Sequence, residues 1–568
     1  MRVPFLISVF LIPLILSPVQ SQPQTTSGRA AAIKYDLSVK VLPDARRLEV
    51  NGTMRIPAAN LPRAFVEFSL SEVMQDLRVE VLKPRASAGP ARTEKYKTEG
   101  GFLVPGKPGA TTNMDAVYRV HPTQPFLPGE DIELRFSYSN VGHNGIIFYI
   151  GPEVTFVSAY GITWYPQISS SQPLEIGFLR VSVPAGEVAI AGGAKRSSPE
   201  DEAKGVFIFE YIHPTYFSFA SGKYKVSRLE AAIPVSAYLL SGRENMPQYL
   251  RDVSRMLSVL EKEFGRYRFG EFTLVEVPRN LAQKAGFNAA TPQGFVYVNS
   301  NAFKATSTVS NMLHWYGHEF SHEWWPHVFS LKRPGGRFLE ESLAEYGGLR
   351  VVETIAGAAP AERYRRVGYE ADPIYSALGY FKQVGKGIDA PLGDVPANER
   401  FRDVVYNKGF LVWDMLSREI GRQQFQNILR GITRRYAFKQ LTLKEFWREI
   451  EKRAGRDLGW FYEQWFERTG APEFQIMWKQ ERQAVVGAIT QNAPYYRATL
   501  QIEIQGEHDQ RSLYTVKVSG ARTEFRLPAK FRVDSVTLDP HFLVLRWTPE
   551  YHAAADAARA SQEPSPKP

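Results

Sequence analysis

His314-Trp315-Tyr316-Gly317-His318-Glu319-Phe320-Ser321-His322-Glu323-Trp324-Trp325-Pro326-His327 holds four of the ten histidines of this chain. Within it, His318-Glu319-Phe320-Ser321-His322 sets two imidazoles four residues apart. On a helix such positions share a face, so both rings can reach one metal ion. Glu319, one residue on, is turned aside yet close enough to hold a water. Nineteen residues after His322 comes Glu341, inside Phe338-Leu339-Glu340-Glu341-Ser342-Leu343-Ala344-Glu345-Tyr346, which reads as a second helix. Two His from one helix and a Glu from the next give three ligands and an open fourth position. Zn2+ suits that N/N/O set best. One such ion on His318, His322 and Glu341 lowers the pKa of water toward ~7, and Glu319 is the expected general base.

Composition agrees with a site of this kind. The chain has 568 residues and no Cys, so disulfides, thiolate nucleophiles, iron–sulfur clusters and Cys-based zinc fingers are excluded. Any metal must bind through His, Asp, Glu or backbone oxygen. At 44% hydrophobic and 13% aromatic the chain can bury several cores, which excludes wholesale disorder. The formal net charge of +10 is spread among acids, with no run of five Lys/Arg, no RNA-binding aromatic motif and no phosphate-loop glycine pattern. We therefore expect no nucleic-acid partner.

Outward from the His-rich stretch the pattern changes twice. Residues 35–225 alternate apolar and polar in short segments bounded by Gly, Pro and Asn, as in Ile132-Glu133-Leu134-Arg135-Phe136-Ser137-Tyr138, which argues an all-β domain. Met246, Leu250, Val253, Leu257, Leu260 and Phe264 form the apolar stripe of a helix. Strands are expected at 272–277 and 295–299, the latter as an edge strand able to pair with substrate backbone. Helices then predominate to about residue 468. Alternation returns at 500–504, 513–518 and 533–538. From Tyr551 an Ala run and a Gln-Glu-Pro-Ser-Pro ending read as a disordered tail. At the other end, residues 1–21 read as a signal peptide, with Arg2 as its one charge and an apolar run shorter than the ~20 residues of a membrane span. The expectation is an exported chain, periplasmic or secreted, with no stable membrane span after cleavage.

The two-helix zinc pattern and its spacing resemble those of the aminopeptidase N (membrane alanyl aminopeptidase) family of gluzincin zinc metallopeptidases. Val405-Tyr406-Asn407-Lys408-Gly409 is similar to the family's Tyr-x-Lys-Gly segment, and the resemblance makes Tyr406 the catalytic residue that stabilises the tetrahedral intermediate. Pro214-Thr215-Tyr216-Phe217-Ser218-Phe219-Ala220-Ser221-Gly222-Lys223-Tyr224 looks like the junction between its β domain and catalytic domain. Trp460-Phe461-Tyr462-Glu463-Gln464-Trp465-Phe466 with Thr469-Gly470-Ala471-Pro472 resembles the end of the catalytic domain. The likeness thus covers residues 35–472. It implies a multidomain α+β chain that hydrolyses peptides or proteins. The expected units are a signal peptide (1–21), an N-terminal all-β saddle-like domain (22–225), a thermolysin-like zinc peptidase catalytic domain (226–472), a small C-terminal β-sandwich (473–550) and the tail (551–568).

One departure concerns substrate choice. The family's aminopeptidases carry a Gly-x-Met-Glu-Asn strand whose Glu binds the free α-amino group. Here no Glu lies between Val277 and Glu319. Matching Gly294 to the glycine after that motif puts Ala290-Thr291-Pro292 in its place and makes Thr291, Gln293, Gly294 and Phe295 the candidate substrate-binding residues. A neutral Thr oxygen holds an ammonium more weakly than a carboxylate does. Only about 75 residues of β-like sequence follow Pro472, which leaves no room for the large helical domain of many relatives and suggests a more open cleft. An endopeptidase, or a peptidase with altered N-terminal recognition, is therefore an alternative to an aminopeptidase. A non-catalytic peptide-binding protein on a peptidase scaffold is another, though no ligand, base or tyrosine is damaged. His314 and His327 read as supporting residues, Trp324 and Trp325 as core or cleft-wall aromatics, and Glu340 and Glu345 as a polar rim.

Overall fold

Every second residue of Ile33–Leu42 is buried, as its alternating sequence requires. In this computed structural model that strand is central to an eight-stranded sheet, paired antiparallel with Arg47–Ile56 and parallel with Glu175–Ser182. The residues described are 32–97, 115–142, 144–168, 175–304, 310–332, 336–368, 375–396 and 399–562. The expected signal peptide and residues 563–568 lie outside them. The sheet's apolar face, with Leu37, Val50, Leu134 and Leu179, forms one core with Trp164, Tyr165 and Phe217. A five-stranded sheet built on Val154–Ser158 and Ser218–Gly222 leads toward the helical part of the chain.

The next sheet carries the site. Its order is Lys225–Leu229, Val235–Leu239, Phe272–Val277, Phe295–Asn299 and Ala289–Ala290. Phe272–Val277 and Phe295–Asn299 match the expected strands in full. Phe295–Asn299 is not the edge expected of it, however. Ala289 and Ala290 pair with Val298 and Tyr297 and cover that side, because Gly286 turns the chain back with a positive φ. The Tyr297 hydroxyl donates to the Phe219 carbonyl at 2.7 Å, tying this sheet to the five-stranded sheet before it.

Four helices frame the site: α1 (Met246–Phe264), α2 (Ser310–Ser321), α3 (Gly336–Ile355) and α4 (Arg402–Ile420). The stripe of α1 is buried as its spacing predicts, and Gly265, at φ 103°, ends the helix. Glycines set how closely the other three approach. A Cβ on Gly317 of α2 would lie 2.9 Å from the Cα of Gly348 on α3, and one on Gly347 would meet Ser321 Oγ at 2.0 Å. A Cβ on Gly409 of α4 would meet Ser342 Cβ at 2.5 Å. Bare backbone at these crossings brings α2, α3 and α4 close enough for short side chains to converge. The Trp413 indole N–H donates to Ser342 Oγ at 2.8 Å and holds the α3–α4 contact.

After the helices come two three-stranded antiparallel sheets, one centred on Ala484–Thr490 and the other on Ala498–Gly506. The expected disordered tail is corrected over most of its length: Pro549–Ala560 is a helix, capped by Thr548. Tyr551 is buried, with its ring 4.9 Å from Phe381. The Ala run that looks unstructured in sequence is what lets the helix press on Ala377–Gly385, where a Cβ on Gly385 would meet Ala555 O at 2.2 Å.

Candidate metal centre and active site

His318 lies in the last turn of α2 and His322 in the turn that follows it. Their Nε2 atoms are 3.2 Å apart, and each is 3.6 Å from Glu341 Oε2, which α3 delivers across the glycine contact. The His322 Nδ1–H donates to the Trp325 carbonyl at 2.8 Å, and His318 Nδ1 lies 3.0 Å from Glu345 Oε1. His322 Nδ1 is committed to Trp325 and His318 Nδ1 faces Glu345, so both Nε2 atoms turn toward Glu341. Glu341 Oε2 is buried and has no hydrogen-bond partner among the described residues. Three electron-pair donors facing one another out of water attract a cation. Without an ion, burial works against charge on His318, but Glu345 and then Glu319 and Glu341 outweigh it and hold this imidazole up at about 9, so a metal ion bound here takes the place of that proton. A tetrahedral ion with ligands at about 2.0–2.1 Å has ligand–ligand edges of about 3.3–3.4 Å, so the triangle fits a zinc-sized ion. Among the described residues this is the one group of three or more His, Cys, Asp or Glu that meets the spacing of a metal site.

Behind the ligands is a buried layer, of which sequence reading places Glu345 on the surface and His314 among the supporting residues. Glu345, expected at a polar rim, is 1% exposed. Its Oε2 accepts from His314 Nε2 at 2.5 Å and from the Tyr364 hydroxyl at 3.0 Å, while Oε1 faces His318. Burial alone would raise its pKa; the two histidines reverse this and take it to about 2. The reason for the misreading is helical geometry. Glu345 is four residues after Glu341, so it lies one turn further along the face of α3 that meets α2. Glu341-x-x-x-Glu345 beside His314-x-x-x-His318 is the signal that could have found it. Glu340 also has a polar partner, and it bears electrostatically on Tyr160.

Glu319 is half-exposed, and Thr291 Oγ1 is 3.0 Å from its Oε2. The ring of Tyr406, on α4, stacks on His318 at 5.8 Å, and the Glu341 carboxylate bears electrostatically on its hydroxyl. Burial, reinforced by Glu341, raises this phenol well above its usual range, so it stays a donor. Tyr375, which sequence reading misses, packs its ring 5.0 Å from Tyr406 in a left-handed backbone conformation, φ 66°. Ser376 N–H donates to Asn407 Oδ1 at 2.7 Å and fixes that turn to α4.

Of the four residues expected to meet substrate, Thr291 reaches Glu319, while Gln293 and Phe295 have buried side chains. Gly294 donates its N–H to Glu323 at 3.1 Å and packs against Gly192, so close that a Cβ would lie 2.7 Å from Gly192 O. Glu323 itself is fully buried, and burial raises its carboxyl well above the usual range.

The fold and this centre define a class: a mixed α+β chain with sheets toward the N-terminus and a His/His/Glu group, spaced to hold a metal ion, among its helices. Residues 250–465 match the family model described as the Peptidase family M1 domain, a span that contains all three ligands, Glu319 and Tyr406. That stretch is thus similar to the M1 peptidase domain, and the curated relatives of the chain carry aminopeptidase names. The chain is 21% identical to Probable aminopeptidase 1 of Sulfurisphaera tokodaii, over 61% of this chain and 46% of that protein. It is 19% identical to Leucyl aminopeptidase of Saccharolobus solfataricus, over 54% and 41%, and 20% identical to Tricorn protease-interacting factor F2 of Thermoplasma volcanium, over 47% and 33%. The chain thus spans less than half the length of these curated relatives. No helix among the described residues is long and apolar enough to cross a membrane.

Proposed function

We propose that this chain is a zinc-dependent peptidase that hydrolyses peptide bonds, aminopeptidase-like in its main activity. The observation that carries the reading is the triangle of His318 Nε2, His322 Nε2 and Glu341 Oε2, with His322 Nδ1 bonded to Trp325 and His318 Nδ1 facing Glu345. A zinc ion held there supplies Lewis acidity and a more acidic water. Glu319 takes the proton of the attacking water and passes it to the leaving amine nitrogen. Tyr406 donates its hydroxyl hydrogen to the oxygen of the tetrahedral intermediate. Residues 1–21 support export, with the reaction in a periplasm or outside the cell.

A second reading concerns which bond is cut. The Thr291 hydroxyl, at the position where relatives of aminopeptidase type carry a carboxylate, is already bonded to Glu319. A substrate's free ammonium then lacks a charged partner at that point, which favours internal cleavage or blocked N-termini. Matched peptides with free and N-acetylated termini decide between the two. Efficient release of N-terminal residues with acetylated peptides untouched supports the aminopeptidase; cleavage of both supports the endopeptidase. Cleavage of neither, by zinc-loaded protein, overturns the proposal.

A further inference from the structure

A general base works best when one carboxylate oxygen is fixed and the other is free to take a proton. Among the described residues, the only hydrogen-bond partner of the Glu319 carboxylate is Thr291, whose Oγ1 lies 3.0 Å from Oε2 and 3.1 Å from the Glu319 carbonyl. One hydroxyl carries one hydrogen, and the charged oxygen is the stronger acceptor.

Thr291 is itself held. Its carbonyl accepts from His327 Nε2 at 2.7 Å. That fixes the tautomer, so His327 Nδ1 is the acceptor for the Tyr160 hydroxyl at 3.3 Å. Three residues along, Gly294 N–H is taken by Glu323. The segment 291–294 is therefore fastened at three points to the stretch 319–327 that carries both the base and a metal ligand. A residue attached this way moves with Glu319 rather than independently of it.

We propose that Thr291 is a positioning residue for Glu319: its hydroxyl anchors Oε2, leaves Oε1 as the oxygen that takes the proton, and is kept in place by His327 through the Thr291 carbonyl. The inference rests on the proposed role of Glu319 as general base. It gives the segment that aligns with amine recognition in relatives a different task, orienting the base.

The test uses the full chain with Thr291→Val, which removes the hydroxyl and keeps the shape, and Thr291→Ser, which keeps the hydroxyl. Loss of such a supporting partner typically costs about 10–100-fold. Thr291→Val is expected to lower kcat by about that factor with KM and bound zinc unchanged, while Thr291→Ser stays within about threefold of wild type. A second readout needs no activity. In metal-free protein, Thr291→Val lowers the melting temperature more when Glu319 is present than in a Glu319→Ala background, where only the backbone carbonyl of residue 319 is left to accept from the hydroxyl. Wild-type kcat in Thr291→Val, an equal loss in Thr291→Ser, or the same melting shift in both backgrounds overturns the proposal. If zinc-loaded wild type hydrolyses no peptide, the reading of Glu319 fails first, and the melting comparison still reports separately whether the contact exists.

Discussion

His318 and Glu345 face each other across the α2–α3 contact, with the imidazole Nδ1 3.0 Å from the carboxylate Oε1. A carboxylate in this position fixes the ring so that Nε2 points at the metal position, and it strengthens that nitrogen as a ligand. Glu345→Gln keeps the volume and removes the charge. Metal affinity measured by chelator competition is expected to fall about 10–100-fold while the circular dichroism spectrum is retained. Unchanged affinity would show that Glu345 serves only packing.

Tyr406 lies over His318 with the Glu341 carboxylate bearing electrostatically on its hydroxyl, and burial keeps it protonated. Tyr406→Phe removes one hydrogen-bond donor and leaves the ring. Since one donor to a developing oxyanion is worth about 10²–10³ in rate, kcat falls by that factor and KM stays within a few-fold. Steady-state kinetics on one peptide substrate check this. A rise in KM with kcat unchanged would make the hydroxyl a ground-state contact.

Gly317 lies at the crossing of α2 and α3, and a Cβ there would lie 2.9 Å from the Cα of Gly348. Backbone must move to admit it. Gly317→Ala is expected to destabilise the fold by about 1–3 kcal/mol in urea unfolding. Bound zinc should fall as well, because Glu341 and the two histidines sit on opposite sides of this crossing. Full stability with full metal content would contradict the close approach as the reason for glycine here.

Lys408 is wholly buried, its Nζ 3.2 Å from the Arg468 carbonyl and 5.4 Å from the centre of the Tyr380 ring. Burial lowers its pKa from the ordinary 10.5 to about 8, against the opposing pull of Asp389. The folded chain thus releases this proton before the unfolded chain does. Between pH 8 and 10.5 the unfolded state binds more protons, so Lys408's contribution to stability rises with pH; below pH 8 the cost of the buried charge is present in full. Relative to Lys408→Met, wild type is expected to gain up to about 1.4 kcal/mol per pH unit inside that window. Denaturant unfolding of both proteins at about pH 7, 8.5 and 9.5 reads the difference directly, and a pH-independent gap contradicts it.

What sequence reading reaches and misses follows from the range of each interaction. The α1 stripe, the strands 272–277 and 295–299, and the set His318, His322 and Glu341 are legible because period and spacing are local. The rest depends on which elements meet. Glu345 looks like a surface acid until α3 is laid on α2, and the glycines that permit this look like any helix glycines. The hairpin of Ala289–Ala290 that takes the edge from 295–299 is too short to leave a period. Alignment makes Thr291 a substrate contact, and only the packing of segment 291–294 on 319–327 reveals its bond to Glu319. The Ala run near Tyr551 reads as loose until Gly385 offers it a surface.

Zinc on His318, His322 and Glu341, with Glu319 as base, is the arrangement on which the proposed peptide hydrolysis depends. The most direct measurement is zinc content and peptide hydrolysis of purified wild type beside Glu319→Gln, each as isolated, after chelation and after zinc is restored. The expected result is about one zinc per chain in both proteins, chelator-sensitive and zinc-restorable hydrolysis in wild type, and a loss of about 10²–10⁴-fold in Glu319→Gln. Full activity in zinc-loaded Glu319→Gln, or wild-type hydrolysis that survives complete removal of the metal, would contradict it.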